Sequence, residues 1–252
     1  MAKIRLDQLL LNQGLVETRS KAQALIIAGG VYFNEVKMTK PGHMMAEDAE
    51  VTLREKPHPW VSRGGLKLMK GLAEFNYPTE GIIAADIGSS TGGFTDVLLT
   101  HGTSKVYAVD VGTAQLDWKL RNDDRVVVME STNARYLTRE SIPDPLDAVV
   151  CDASFISLRT VLPATLALAK PGAWIIALIK PQFEVGKDQV GKGGVVRDSA
   201  LHEAVCEDIR GWLSTDMGWD VDGIVESPIT GPAGNKEFLI GARKPQENAH
   251  VV

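Results

Sequence analysis

Asp86-Ile87-Gly88-Ser89-Ser90-Thr91-Gly92-Gly93-Phe94 joins an apolar run, Ile82-Ile83-Ala84-Ala85, to a segment of helical character from Gly92 to Leu99. A buried strand that ends in an acid and turns through glycines into a helix marks the corner where open α/β sheets bind ligands. Gly88 allows a tight turn there. Gly92 and Gly93 let the helix N-terminus come close to a ligand.

The alternation continues on the C-terminal side. Strands are expected at Ile82–Asp86, Val106–Asp110, Val126–Met129, Ala148–Cys151, Trp174–Ile179, Val221–Val225 and Phe238–Ala242. Helices are expected at 66–75, Gly92–Leu99, Thr113–Leu120, Ile156–Leu168 and Leu201–Leu213. The strands are continuous apolar runs, so both of their faces are buried, as in a parallel sheet covered by helices. The fold class is therefore α/β and Rossmann-like, with a seven-stranded, mostly parallel sheet over residues 66–244. On the N-terminal side, residues 57–65 (PHPWVSRGG) break all periodicity and are expected to be a linker. Residues 1–56 form a small α+β unit. Leu6, Leu9 and Leu10, then Ala22, Leu25 and Ile26, recur at helical spacing, with Thr18 or Ser20 as the cap of the second helix. Short strands are expected at Val31–Asn34 and Glu50–Leu53, around a turn at Pro41-Gly42. The polar tail, 245–252, is expected to fray.

Composition removes other classes. The chain has 252 residues, 44% hydrophobic and 23% charged, which is ordinary for a globular protein. Its longest apolar run, Ala173 to Ile179, is far short of the ~20 residues that span a bilayer. No signal-peptide core opens the chain, so the cytoplasm is the default location. Cys151 and Cys206 offer neither a disulfide framework nor metal-knuckle spacing, so no metal is expected. Net charge is −5, yet residues 1–40 carry six Lys/Arg against three acids, while 61–252 carry 19 against 25. A small basic unit thus precedes a larger acidic one, and local charge makes the electrostatic footprint.

The loop spacing is G-x-x-x-G-G, whereas dinucleotides prefer G-x-G-x-x-G. An acid at the loop mouth repels pyrophosphate and suits the cationic amino-acid end of S-adenosylmethionine. Asp86, Gly88, Ser89, Ser90, Thr91, Gly92, Gly93 and Phe94 are therefore candidate cofactor residues. Asp110, ending the second strand, can accept from ribose hydroxyls. Asn133 either caps a turn or meets an adenine edge. Asp152 ends the fourth strand and faces the same crevice, although it or Ser154 could instead cap a helix beginning at Ile156. Lys180 ends a purely apolar strand. A buried lysine needs a carboxylate, and Asp152 on the neighbouring strand is the expected partner. Lys67 and Glu237, taken singly, read as surface residues.

Lys67, Asp152, Lys180 and Glu237, in that order beside the Asp86 loop, are similar to the Lys-Asp-Lys-Glu tetrad of FtsJ-like ribose 2′-O-methyltransferases. The N-terminal unit resembles an S4 RNA-binding domain through Arg5-Leu6-Asp7-Gln8-Leu9-Leu10, Thr18-Arg19-Ser20-Lys21-Ala22 and Ile27-Ala28-Gly29-Gly30-Val31-Tyr32-Phe33-Asn34. An S4 unit before an FtsJ-like domain is the architecture of the TlyA/hemolysin A family. Trp60 to Leu68, Asp152 to Leu158 and Lys180 to Glu184 resemble that family too. Many FtsJ-like enzymes have a proline where Thr91 stands, a departure that suits TlyA.

The resemblance implies S-adenosylmethionine-dependent 2′-O-methylation of cytidine in ribosomal RNA, on the large subunit and, for some members, also the small one. It makes Lys67, Asp152, Lys180 and Glu237 the catalytic set. Lys180 lies nearest the hydroxyl and Asp152 holds it. Lys67 adds a second ammonium, and Glu237 orients Lys67 or the ribose. Arg5, Arg19, Lys21, Arg63, Lys187 and Lys192 are candidate RNA contacts. The glycine-rich loop Gly186–Gly194 reads as a lid over RNA or as a plain connector. Ribosomal RNA or ribosomal subunits are the expected partners, with no membrane. Three readings compete: a methyltransferase of the same fold acting on a small molecule, a non-enzymatic RNA-binding or hemolysin-like protein, and an NAD(P) oxidoreductase.

Overall fold

A computed structural model describes residues 3–27, 29–53, 58–231 and 233–246, with the side chains of Ala24 and Lys187 left aside. The chain divides between Pro59 and Trp60 into two units, each with its own packed interior.

The N-terminal unit runs β1 (Lys3–Arg5), α1 (Leu6–Asn12), α2 (Arg19–Ile27), β2 (Val31–Phe33), β3 (Val36–Met38), β4 (Met44–Ala46) and β5 (Thr52–Leu53). Leu6, Leu9 and Leu10 from α1 and Ala22 and Ile26 from α2 are buried together with Val31 and Met45. Thr18 accepts from the Lys21 N–H at the start of α2. Three strands, β1, β3 and β4, were not anticipated, and one of them precedes the first helix. The two expected strands, β2 and β5, pair antiparallel, and the expected turn at Pro41-Gly42 is closed by the His43 N–H donating to the Lys40 carbonyl at 3.0 Å. An additional hairpin joins β2 to β3 through Asn34-Glu35. Both residues have positive φ, +46° and +65°, as a two-residue hairpin loop requires. Neither of these residues is glycine, which hid the signal. Ala28 of the S4-like stretch, residues 54–56 at the end of the small unit and the linker residue Pro57 lie outside the described residues, as do 247–252 of the tail.

The larger unit runs α3 (Gly64–Phe75), β6 (Ile83–Ile87), α4 (Gly93–Thr100), β7 (Lys105–Val109), α5 (Trp118–Arg121), β8 (Val126–Met129), β9 (Leu146–Cys151), α6 (Leu158–Val161), α7 (Pro163–Ala167), β10 (Ala169–Ile179), α8 (Pro181–Glu184), α9 (Ser199–Gly211), β11 (Asp220–Glu226) and β12 (Phe238–Arg243). Seven strands form one sheet in the order β11-β12-β10-β9-β6-β7-β8, and only β12 runs against the others. The order reverses between β6 and β9, which opens a crevice at their C-terminal ends. Apolar clusters cover both faces of the sheet, consistent with the unbroken apolar strands. In the segment expected to be linker, Trp60 is buried in one of these clusters and Gly64 opens α3.

Two expected helices are corrected. Thr113–Leu120 is mostly irregular, and only Trp118–Arg121 is helical. The Glu130 carboxylate accepts from the N–H groups of Ala114, Gln115 and Leu116, and Ala114 takes a φ of +53°, so these residues leave the helical path. Ile156–Leu168 starts later and splits into α6 and α7 at Pro163, whose missing N–H cannot continue a helix.

Candidate active site

Strand register brings the tetrad together. Ile176 and Ala177 of β10 lie opposite Val150 and Cys151 of β9, so the residues that follow, Lys180 and Asp152, emerge side by side. Ile179 pairs with Phe238 in the antiparallel β12, so Glu237, just before β12, reaches the same edge. Lys67 comes from the first turn of α3. The result is an unbroken chain of alternating charges. Lys180 Nζ lies 2.6 Å from Asp152 Oδ1, and Lys67 Nζ lies 3.1 Å from Asp152 Oδ2 and 2.7 Å from Glu237 Oε2. The 2.6 and 2.7 Å contacts are charge contacts rather than aligned hydrogen bonds. Lys180 also donates to Ser154 Oγ at 2.8 Å and to the Asp152 carbonyl at 3.3 Å. Glu237 is 2% exposed, and Lys67 and Lys180 6% each. Burial at this level holds the two lysines where their carboxylates are, because an unpaired buried charge is costly.

The tetrad opens into a cleft of about 540 Å³ that is also lined by Arg63, Asp86, Gly88, Ser89, Ser90, Thr91, Gly93, Phe94, and Gly193 and Gly194. A second cleft of about 570 Å³ is lined by Asp110, Asn133 and Arg135. The two clefts share Gly88, Ser90, Asp152, Ser154 and Phe155, so a single bent ligand can reach across both. Asp86 is fully buried. Its Oδ2 accepts from the Thr95 N–H and hydroxyl, while Oδ1 has no partner. Burial pushes its carboxyl up to about 7, with Asp152 and Asp110 adding to the rise. A buried, half-satisfied carboxylate at a cleft calls for a cation. That is the fit expected for the amino-acid end of S-adenosylmethionine, and the three acids around the clefts oppose a pyrophosphate. Asp110 accepts from Ser90 N–H at 2.8 Å and from Gly112 N–H at 2.7 Å, and so holds the loop while facing the second cleft. Asn133 does cap a turn, accepting from the Arg135 N–H, and it also lines that cleft.

Gly88 is the point of the loop that packs directly on backbone. Its φ is +78°, and a Cβ there would come within 2.9 Å of the Ala153 backbone, next to Asp152. Gly88→Ala is therefore expected to destabilise the fold by about 1–3 kcal/mol and to weaken cofactor binding at least tenfold. Thermal unfolding and calorimetric titration check this, and wild-type values for both would contradict it. Gly92 does not line either cleft. At φ +94° it packs against Leu116 and Leu120, so it shapes the turn rather than touching a ligand.

Across residues 60–244 the sequence matches the family model for FtsJ-like methyltransferase, and across 4–51 that for the S4 domain. The chain belongs to the FtsJ-like methyltransferase family. Among FtsJ-like relatives, the 16S/23S rRNA (cytidine-2′-O)-methyltransferase TlyA of Mycobacterium tuberculosis is 45% identical over 98% of this chain and 92% of its own. Hemolysin A of Brachyspira hyodysenteriae is 42% identical over 94% of this chain and 98% of its own. A solved structure from Streptococcus thermophilus, provisionally designated a hemolysin, is 45% identical over 100% of this chain and 93% of its own, with a TM-score of 0.74.

Ser154 is not a helix cap. Ser157 caps α6 by accepting from the Arg159 N–H, which leaves Ser154 to receive Lys180. Lys192 is exposed and lines neither cleft, whereas Gly193 and Gly194 beside it line the first. The Lys187 side chain lies outside the described residues. Arg63 lines the first cleft and donates to the Thr230 carbonyl at 2.5 Å. Lys21 pairs with Glu17, and Arg5 and Arg19 pair with Asp7. Phe155 has no counterpart among the expected site residues. It is 90% exposed at a φ of +64° and its ring lies 5.1 Å from that of Phe183, both on the first cleft. Nothing in the residue types alone marks it. Among the described residues, no cluster of His, Cys, Asp and Glu could hold a metal, and no helix is long and apolar enough to cross a membrane.

Proposed function

We propose that this chain moves the methyl group of S-adenosylmethionine to the ribose 2′-hydroxyl of cytidine in large-subunit ribosomal RNA, with the small subunit as a second substrate. The carrying observation is the Lys180–Asp152–Lys67–Glu237 chain opening into the cleft that holds the half-satisfied Asp86. The names of the relatives support the ribose and the cytidine. A ribosomal substrate places the work in the cytoplasm.

In this reading Asp86 takes the cation of the cofactor, Gly88 to Thr91 wrap its amino-acid end, and Asp110 and Asn133 meet the nucleoside. Bound there, the cofactor supplies a methyl carried on a sulfonium, already activated for displacement. The chain's own task is the oxygen. A 2′-hydroxyl is a weak acid and a poor nucleophile, so it must be aligned and relieved of its proton. Alignment contributes up to ~7–11 kcal/mol in well-oriented systems. Lys180 directs the hydroxyl, and its proton leaves through the Lys180–Asp152 pair toward water as the methyl–oxygen bond would form and the methyl–sulfur bond break, the electron pair of the broken bond staying on sulfur. Lys67 keeps Asp152 and Glu237 in place, so the pair stays fixed while the proton moves. The exposed Phe155 ring, beside the half-buried Phe183, offers an aromatic surface for an unstacked base. A target base must leave its stack for the ribose to enter such a cleft.

Cofactor affinity is expected to depend on pH through Asp86. Its carboxyl sits at about 7, so below that pH it must lose a proton before it can pair with a cation. Affinity therefore falls about tenfold per pH unit below about 7, and binding near neutrality releases a proton. Calorimetry in two buffers of different ionisation heat reads both effects. A flat affinity from about pH 8 to about pH 6, or no proton release, would contradict this role.

The function is tested with labelled S-adenosylmethionine and three acceptors: isolated large subunits, isolated small subunits and deproteinised RNA. Label in a ribosomal RNA supports the reading. Cofactor binding with no label in any acceptor contradicts it and turns attention to a small-molecule substrate.

A further inference from the structure

Asp7 is an acid buried at the start of α1 in the basic N-terminal unit. It sits inside a cage of donors. Arg5 Nε donates to Oδ1 at 3.0 Å, and Oδ2 accepts from Arg5 Nη2 at 3.1 Å, Arg19 Nε at 3.0 Å and Gln23 Nε2 at 2.8 Å. One carboxylate thus gathers two guanidiniums from two different elements, β1 and α2. Both arginine side chains remain about half exposed, 46% and 50%. Their inner edges are held and their outer edges face water. Arg5 Nη1 also passes close to Gly42, where a side chain would come within 3.0 Å of it, so this position leaves the guanidinium room.

We propose that Asp7 is a positioning residue for RNA, clamping Arg5 and Arg19 side by side so that their free edges meet the phosphate backbone of the RNA. This rests on the reading of the chain as a ribosomal RNA methyltransferase. Guanidinium is a planar fork whose remaining N–H groups match phosphate oxygens. Two free arginines would have to give up rotamer freedom to bind together, and a shared buried carboxylate removes that cost in advance. The arginine beside Asp7 holds its carboxyl well below the usual carboxylate range, so the clamp stays charged throughout the neutral range.

The sign of one substitution separates positioning from plain electrostatics. Asp7→Asn removes a negative charge near RNA-facing arginines, and charge alone predicts tighter RNA binding. Loss of the clamp predicts weaker binding. Arg19→Lys is the companion variant. It keeps the charge and buries no new group, but it has no Nε–H to lie against Asp7. The experiment titrates a fluorescent single-stranded RNA of mixed sequence with the full chain across a salt series. Wild type is expected to bind with a steep salt dependence. Asp7→Asn and Arg19→Lys are each expected to bind about threefold to tenfold more weakly, with the salt slope reduced by ~0.7 for each phosphate that is no longer neutralised. Cofactor affinity serves as the control for the larger unit. Tighter or equal binding by Asp7→Asn, or wild-type binding by Arg19→Lys, overturns the proposal. If Asp7→Asn fails to fold, the Arg19→Lys result alone decides. A wild-type chain that neither binds RNA nor methylates it would overturn the functional reading itself, whereas methylation with unchanged variants overturns only the clamp.

Discussion

Lys180→Met is expected to lower methyl transfer by a factor of about 100–10,000 while leaving cofactor affinity within about threefold. Methionine keeps the length of the stem inside its apolar strand end and removes only the ammonium. Asp152 would still be paired through Oδ2 with Lys67, so the fold loses one partner of a network and not the network itself. Asp86 and the glycine loop lie on another strand and keep their own bonds. The effect should therefore appear in the single-turnover rate at saturating RNA and saturating cofactor, with the binding constants nearly unchanged. A rate within about twofold of wild type would move the proton transfer to another group and remove Lys180 from the mechanism.

Lys67→Met is expected to be the most destabilising single change in the site. It strands Glu237, which is 2% exposed and has its charge contact with Lys67 at 2.7 Å. Removing one partner of a buried pair costs about 3–5 kcal/mol, because the other charge stays behind without compensation. Adding Glu237→Gln should recover much of that loss by removing the stranded charge. Thermal unfolding of the single and double variants measures the coupling. Equal stability of the two would mean that Glu237 finds another partner. Methyl transfer should be lost in both, since Asp152 then keeps only Lys180.

These two substitutions draw on different amounts of foresight. The sheet and its loop were legible because unbroken apolar strands and the Asp86–Phe94 corner are local signals. The Lys180–Asp152 contact was legible as well, because a lysine that ends an apolar strand must find an acid, and parallel neighbours end together. The Lys67–Glu237 pair was reachable only through the family resemblance. Neither residue has a local signature, and the contact depends on the antiparallel pairing of β12 with β10. The missed strands of the N-terminal unit are three residues long; β3 follows a turn at Asn34-Glu35 that has no glycine, and β1 pairs with the distant β4. Thr113–Leu120 looked helical by composition, yet the Glu130 carboxylate drew its N–H groups away. Phe155 escaped notice because an exposed aromatic residue in a left-handed backbone conformation cannot be read from residue types alone.

The most direct measurement maps the methyl group on the RNA. Ribosomal RNA incubated with the chain and S-adenosylmethionine is hydrolysed in alkali, and the protected positions are sequenced. A 2′-O-methyl ribose blocks cleavage at its own phosphodiester, so it shows as a gap in the ladder. The account predicts a discrete gap at a cytidine that appears with wild type and is absent with Lys180→Met. Methyl label that enters the RNA without any alkali-resistant site would place the group on a base, and would contradict the assignment of the ribose hydroxyl as acceptor.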